Sequence, residues 1–299
     1  MDRLMRVVGL QGRSFIPLLS SFACAVPGIM SARTIPSRSD RLITILVAPL
    51  MSCSARLPVY AVLIGAFIPA LTIGGIVSLQ GLVLLGLYLF GIISAALVAW
   101  LLRLSLLKGD HSPFVMELPP FRRPSLRVVM RAAGDRVYLF IKNAGTIILA
   151  CSIVLWFLAS YPQGEIRNTY AGRIGRLMEP AIAPLGYNWE IGVGLLASFA
   201  AREVFISSLA TVYNLQDDDP DSHSLISLLK SKETSGAFSL PTALSLMAFF
   251  ALACQCMSTI AVCHRETGSW RWTCFMFLYM TSLAWLAAFA TYNISRVLF

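Results

Sequence analysis

Residues 20–60 read SSFACAVPGIMSARTIPSRSDRLITILVAPLMSCSARLPVY and decide how the chain is organised. Two apolar segments, each interrupted by a proline, bring a lone cysteine to the interruption: Cys24 in the first and Cys53 in the second. A basic connector at 33–41 separates them. Irregular backbone at membrane depth is tolerated only where it is buried in protein or lines a polar cavity. Because transporters place their sites at discontinuous helices, we interpret this stretch as half of a cation pathway.

The composition of the whole chain is that of an integral membrane protein. Hydrophobic residues make up 57% of its 299 residues and charged residues only 13%, whereas soluble domains carry about twice that charged share. The net charge of +9 lies in loops, where excess Lys and Arg sets topology. The seven cysteines fit neither a disulfide framework nor a zinc pattern. We therefore expect an all-α polytopic membrane protein that contacts the lipid bilayer and binds no nucleic acid.

Uncharged runs predict where the chain crosses the membrane. Residues 57–102 contain no charge and are long enough for two crossings of about 20 residues each. The spans are predicted near 57–77, 81–102, 143–160, 238–263 and 273–295. The segment 191–213 carries Arg202 and Glu203 at its centre. We expect it to be re-entrant, which would leave the acidic loop around 217–221 outside.

The charge pattern divides the chain into three parts. Residues 103–142 hold eight Lys or Arg against three acids, which predicts a cytoplasmic connector whose segment 125–142 is an amphipathic surface helix. Residues 1–102 would be the remainder of a first repeat with its following spans. Residues 143–299 would contain a span, a second repeat and the C-terminal spans.

An internal echo supports two repeats. The pattern LLxSFA occurs at 18–23 and again at 195–200. After each copy come a polar linker and an apolar segment with a central cysteine: Cys53 in the first case, Cys254 and Cys256 in the second. Weak internal repetition with matching broken segments points to a transporter site. Chance is the alternative, since these residue types abound in membrane proteins.

Charged residues at membrane depth are the first candidates for chemistry. Only Arg56, Arg202 and Glu203 qualify, and each costs at least ~2.5 kcal/mol on insertion scales, so such residues usually face a cavity or a partner. Glu203 is the first candidate cation ligand, because a carboxylate offers charge and oxygen to a divalent metal. A structural ion pair of Glu203 with either arginine is the alternative interpretation.

The cysteines at the breaks are the second set of candidates. Thiolates are soft ligands suited to Fe, Cu(I) and Zn rather than to Mg or Ca. Two inert buried thiols are the alternative for Cys24 and Cys53, and the commoner role of buried cysteine. At most one of Cys254 and Cys256 should line a pathway, because helix positions two apart do not share a face. Supporting hydroxyls are expected from Ser21, Ser52 and Ser54.

Five long segments of the chain resemble the membrane domain of ferrous iron transport protein B, the FeoB family. They are DRLMRVVGLQGRSFIPLLSSFACAVPGIMSART (2–34), DRLITILVAPLMSCSARLPVYAVLIGAFIP (40–69), MELPPFRRPSLRVVMRAAGDRVYLFIKNAGTIILA (116–150), LASFAAREVFISSLATVY (196–213) and CQCMSTIAVCHRETGSWRW (254–272). The resemblance implies an all-α fold of two Gate-type repeats with broken or re-entrant helices plus about five full spans.

The resemblance also implies a substrate and site residues. The two Gate-type repeats would form a pathway for Fe²⁺ as transported substrate, with no permanently bound cofactor. Cys24 and Cys53 would be the cysteines proposed to line the pore in this family. Glu203 would belong to the second Gate motif, and Cys256 would sit at the recurrent cysteine of that repeat.

The sequence departs from the family pattern at its beginning. Family members normally start with a cytoplasmic GTP-binding domain followed by the first membrane helices, but no GxxxxGK[ST] phosphate loop occurs here. We therefore expect no enzymatic activity, and GTP dependence only through a domain absent from this chain. A truncated gene model, a fragment or a split-gene product would each explain the pattern. Expected partners are a GTP-binding domain or protein and the missing N-terminal helices, with a homo-oligomer as a further possibility.

Two other functions stay open at this point. A Gate-family transporter of a nucleoside or similar solute would present polar and aromatic groups at the breaks rather than lone cysteines. A non-conducting membrane scaffold or regulatory subunit would bind no iron and would co-purify with a larger partner.

Overall fold

The computed structural model describes residues 3, 5, 8–73, 77–105, 125–141, 145–161, 169–212 and 238–298. These residues are mainly helical, which confirms the all-α fold class. The helices in chain order are α1 (Phe15–Ser21), α2 (Ala25–Ser31), α3 (Arg38–Val47), α4 (Leu57–Phe67), α5 (Leu79–Ser105), α6 (Leu126–Phe140), α7 (Thr146–Ser160), α8 (Tyr170–Ile182), α9 (Trp189–Ala197), α10 (Val204–Val212), α11 (Leu240–Leu252), α12 (Met257–Thr267) and α13 (Trp270–Leu298). Half of the basic connector (106–124 and 142) and the acidic loop around 217–221 lie outside the described residues, so their predicted sidedness stays a prediction.

Among the described residues, four stretches are long and apolar enough to cross a membrane: 38–67, 79–105, 240–267 and 270–298. In the two unbroken helices, α5 and α13, 22% and 28% of an apolar 18-residue segment is buried inside the protein. In each of the other two stretches, the buried share is 72%. Those two buried stretches are the interrupted ones, α3–α4 and α11–α12. The broken helices therefore form the centre, and the continuous helices surround them on the side available to lipid.

Prolines and capping residues explain several helix boundaries. Pro49 lies in the 3₁₀ turn Ala48–Leu50 and Pro58 in the first turn of α4, positions where a missing N–H costs little. The hydroxyl of Ser37 accepts from the amide of Asp40 at 3.4 Å and caps the start of α3. Gly268, with φ of 63°, ends α12 in the left-handed conformation that favours glycine.

The spans predicted at 81–102 and 273–295 are confirmed by α5 and α13, but those predicted at 57–77 and 238–263 are wrong, because neither is one continuous helix. The span predicted at 57–77 is helical only as far as Phe67, where α4 ends. A two-stranded antiparallel hairpin follows, β1 (Thr72–Ile73) and β2 (Val77–Ser78), with Thr72 opposite Ser78. The span expected over 238–263 is interrupted at 253–256, where Ala253 and Cys256 have extended backbone.

The structure supports the internal repeat. The echo residues 18–23 and 195–200 lie in α1 and α9 and run into the break that follows each. At the same offset of 177, Gly9 and Gly186 both have positive φ, 80° and 79°. The amide of Leu10 donates to Met5 O at 2.9 Å, and that of Tyr187 donates to Ile182 O at 3.4 Å. The order α1–α2, α3–α4, α5 thus matches α9–α10, α11–α12, α13.

Ion pairs join neighbouring helices at the end of the molecule where α3 begins. The guanidinium of Arg103 on α5 donates to Asp40 on α3 at 2.9 Å, and the Asp40 side chain is fully buried. Arg33 donates through Nε to Glu266 near the end of α12 at 2.6 Å. The second contact ties the first repeat to the second.

Candidate functional site

A cavity of about 270 Å³ lies where the four breaks meet. The breaks are those between α1 and α2, α3 and α4, α9 and α10, and α11 and α12. All four predicted ligands line this cavity: Cys24, Cys53, Glu203 and Cys256. The structure therefore brings together residues that are up to 232 positions apart in the chain.

The first repeat supplies two thiols through backbone that leaves the helical conformation. Cys24 precedes α2 with φ −158° and ψ 138°, and Cys53 precedes the 3₁₀ turn Ser54–Arg56 with φ −81° and ψ 161°. Both side chains are half-buried. The Ser54 hydroxyl donates to Ala23 O at 2.8 Å, and the Ser54 amide donates to the same oxygen at 3.4 Å. These bonds hold the two breaks of the repeat against each other.

The second repeat supplies one thiol and one carboxylate. Cys256 precedes α12 with extended backbone and is half-buried. The amide of Met257 donates to Phe199 O at 3.1 Å and joins the two breaks of this repeat. Glu203 lies in the turn before α10 with an exposed side chain. Cys254 is 1% exposed and belongs to the core, so only Cys256 of this pair reaches the cavity.

Two buried arginines lie beside the breaks. Arg56 is 0% exposed and donates to Pro49 O at 3.0 Å, Leu50 O at 3.2 Å and Met51 O at 3.0 Å. Arg202 is 5% exposed and donates to Phe250 O at 3.4 Å and Ala253 O at 2.8 Å. Within the described ranges, neither arginine forms an ion pair with Glu203. The structure therefore does not show Glu203 as a structural counter-ion of either arginine.

The supporting residues divide between cavity and core. Ser54 and Arg202 line the cavity. Ser21 is buried and its hydroxyl donates to Pro17 O at 2.9 Å, while Ser52 is 1% exposed; neither is among the lining residues.

Sequence reasoning missed the hydroxyls of Ser258 and Thr259, which line the cavity from the first turn of α12. The signal was their position within three residues of a break cysteine, Cys256, just as Ser54 follows Cys53.

The ligand types around the cavity are suited to transient metal contact. Three thiols, one carboxylate and several hydroxyls surround it. In the described part of the chain, no three His, Cys, Asp or Glu residues are close enough to hold a metal ion. Conduction requires sites that release the ion as readily as they take it up. An open set of ligands meets that requirement better than a closed tetrahedral site.

A second cavity, of about 320 Å³, lies among α7, α8, α9 and α10. Its lining is mostly apolar, with Trp156 and Val193 among the larger side chains, and it touches the first cavity's lining through Ala200. None of the four predicted ligands lines it. Among the described residues, the four predicted ligands thus lie at the breaks and not in this second cavity.

Two protein families match this sequence. The family described as "Nucleoside recognition", named Gate, matches residues 1–67 and 141–270, more than half of the chain. The family described as "Ferrous iron transport protein B C terminus" matches residues 84–136. Each of the two Gate segments contains one pair of the breaks that line the cavity. The last helix, α13, lies almost wholly beyond the second segment.

Several curated proteins are similar along nearly the whole chain. A protein of Leptospira interrogans named "Fe(2+) transporter FeoB" is 44% identical over 98% of this chain and 44% of its own length. Its namesake in Leptospira biflexa is 44% identical over 100% of the chain and 45% of its own length. One from Staphylococcus aureus is 37% identical over 99% and 43%. The chain thus spans less than half the length of these relatives. No solved structure matches significantly.

Proposed function

Because this multi-pass membrane chain belongs to the ferrous iron transport protein B family, as its C-terminal Gate portion, we propose that it forms part of a transmembrane pathway for Fe²⁺. The observation that carries this proposal is the convergence of four helix breaks on one cavity lined by three thiols and a carboxylate. The proposed place of action is the cytoplasmic membrane.

Cys24, Cys53, Cys256 and Glu203 are the proposed transient ligands. Thiolates and carboxylates together suit a borderline divalent ion such as Fe²⁺, whereas Mg²⁺ and Ca²⁺ prefer oxygen alone. The ion would exchange water for these ligands and then leave them, so no bond of the substrate is made or broken beyond coordination. We accordingly propose a permease and not an enzymatic role for this part of the protein.

Regulation and enclosure are proposed to come from elsewhere. The relatives are more than twice as long as the matched region. We propose that a GTP-binding domain or protein, and additional N-terminal helices, complete the complex and provide any GTP dependence. A homo-oligomer is compatible with the same arrangement.

The test is uptake of radioactive iron into vesicles. The chain is joined to the N-terminal portion of the Leptospira biflexa relative, and Cys24→Ser and Cys53→Ser are compared with the unaltered fusion. Each variant should reduce Fe²⁺ uptake by about tenfold, the equivalent of ~1.4 kcal/mol of lost ligand interaction. Cys274→Ser is the matched control, since Cys274 is exposed on α13 and does not line the cavity. Unchanged uptake in both variants would remove the thiols from the proposed pathway.

A second candidate follows from the description of the Gate family as "Nucleoside recognition". The cavity would then hold an organic solute. Excess nucleoside in the same vesicles decides between the two: competition with Fe²⁺ for uptake favours a solute site, and independence favours the ion pathway. A complex that inserts normally but moves neither substrate would favour a scaffold role.

A further inference from the structure

The carbonyl groups that end the broken helices are occupied by protein donors, and two of those donors are buried arginines. We infer that Arg56 and Arg202 are selectivity residues, which keep hard oxygen ligands out of the cavity and leave its thiols to choose the ion. This inference rests on the proposed ion pathway and specifies how the pathway would discriminate among cations.

Arg56 occupies the end of the first broken stretch. Its two terminal nitrogens donate to three successive carbonyls, those of Pro49, Leu50 and Met51. Pro49 itself lines the cavity, beside Cys53. A helix that ends inside the protein leaves carbonyl oxygens without partners, and these carry the negative end of the helix dipole. Arg56 therefore occupies the carbonyl of cavity-lining Pro49, together with the two that follow it, and would withhold it from a cation.

Arg202 does the same at the equivalent place in the second repeat. An offset of 203 residues places Cys53 on Cys256 and Leu50 on Ala253. Leu50 O accepts from Arg56, and Ala253 O accepts from Arg202 at 2.8 Å. The two arginines come from different positions in their repeats, yet their guanidinium groups bond matching carbonyls.

At each of the other two breaks, a protein donor likewise occupies a carbonyl. Ala23 O accepts from the amide and hydroxyl of Ser54, and Phe199 O accepts from the amide of Met257. Ser54 and Met257 occupy matching positions directly after the cavity cysteines. At each of the four breaks, at least one backbone oxygen is therefore already bonded, and two of the residues that carry them, Ala23 and Pro49, line the cavity.

The chemical consequence is a preference for softer ions. Channels that select K⁺ use rings of backbone carbonyls, and Ca²⁺ sites take six to eight oxygen ligands. With these carbonyls occupied, the side-chain oxygens that line the cavity are those of Glu203, Ser54, Ser258 and Thr259, whereas Fe²⁺ can also bind the thiols. Two fixed guanidinium charges repel every cation and so lower affinity in general. The occupied carbonyls distinguish hard ions from soft ones. Since arginine stays charged in proteins, it does not release these carbonyls by losing a proton.

The experiment measures Fe²⁺ and Ca²⁺ uptake separately in vesicles that contain the fusion protein described above. Arg56→Met and Arg202→Met remove the donors and keep an unbranched side chain. Each should lower the ratio of Fe²⁺ to Ca²⁺ uptake by about tenfold, because the freed carbonyls become ligands. Arg56→Lys and Arg202→Lys keep the charge and one donor group but not the planar fork, and should lower the ratio less than the Met variants do.

A Met variant that inserts normally but keeps the unaltered ratio would overturn the inference. Where a Met variant does not insert, Arg→Gln at the same position supplies a neutral donor with fewer bonds, and an unaltered ratio in that variant would overturn it equally. A fusion protein that moves no Fe²⁺ without any substitution refutes the proposed function, and the inference with it. Normal Fe²⁺ transport with an unchanged ratio refutes the inference alone.

Discussion

The two repeats use the same backbone device with different chemistry. In the first, the breaks present Cys24 and Cys53; in the second, they present Glu203 and Cys256. Both repeats join their breaks through an amide donated by the residue after the cysteine, Ser54 or Met257. Common architecture therefore fixes the positions of the proposed ligands, and the residue at each position decides which ligand chemistry is offered. The difference gives the cavity one wall rich in thiol and another with a carboxylate.

The largest expected effect is on the free energy of unfolding. It should differ between the two arginines, because they bond different numbers of carbonyls. Arg56→Met leaves three buried carbonyls without this donor and should lower the free energy of unfolding by about 3 kcal/mol. Arg202→Met, with one short and one long bond, should cost about 1.5 kcal/mol. Denaturant titration of the purified protein in detergent measures both values. An Arg202 variant that is the less stable of the two would reverse the assignment.

The next effect compares the matching glycines. Gly186→Ala forces a left-handed conformation and drives the new methyl group into the ring of Tyr292, so it should destabilise by about 2–3 kcal/mol. Gly9→Ala bears the same strain, but its methyl group would lie 3.1 Å from the flexible side chain of Arg103, and about 1–2 kcal/mol is expected. Thermal unfolding monitored by circular dichroism gives the order. Equal losses would show that the contact of the new methyl group with Tyr292 is easily relieved.

The smallest effect concerns the carboxylate wall. Glu203→Gln keeps the shape and removes the charge, so Fe²⁺ uptake should fall by about threefold to tenfold, because one ligand of four is weakened. Glu203→Asp should fall less, since it retains a carboxylate. Initial uptake rates at subsaturating Fe²⁺ give the comparison. If Gln and Asp behave alike, the charge at this position is irrelevant to the ion.

Sequence patterns predicted the parts of the fold that depend on composition. Uncharged runs located α5 and α13 within a few residues, because a membrane span needs about 20 apolar residues whatever its neighbours do. Prolines marked the breaks near Cys24 and Cys53. The echo at 195–200 identified the second copy of the first break, since a repeated structure retains part of its pattern.

The parts that failed are those that uncharged runs do not mark. The break at 253–256 contains neither proline nor glycine, so the chain appears there as one continuous apolar helix. The hairpin at 72–78 is uncharged and was absorbed into a predicted span. The role of Arg56 depends on which carbonyls the break leaves free, and this is set by the fold and not by neighbouring residues.

The candidate site was predictable by residue type, though not by arrangement. Cysteines and a carboxylate at membrane depth stood out because they are costly or reactive there. Their meeting around one cavity required the pairing of α3–α4 with α11–α12, which only the structure gives. Ser258 and Thr259 were missed because hydroxyl residues are common in membrane helices.

Thiol protection tests whether Cys24, Cys53 and Cys256 all face the proposed path of the ion. The fusion protein is treated with a maleimide under anaerobic conditions, with and without Fe²⁺, and labelling is read residue by residue by mass spectrometry. Because the ion would exchange among these thiols, Fe²⁺ at ten times its dissociation constant is expected to slow labelling of all three, with exposed Cys274 unaffected. Protection of only one of the three, or of none, would contradict the proposed path.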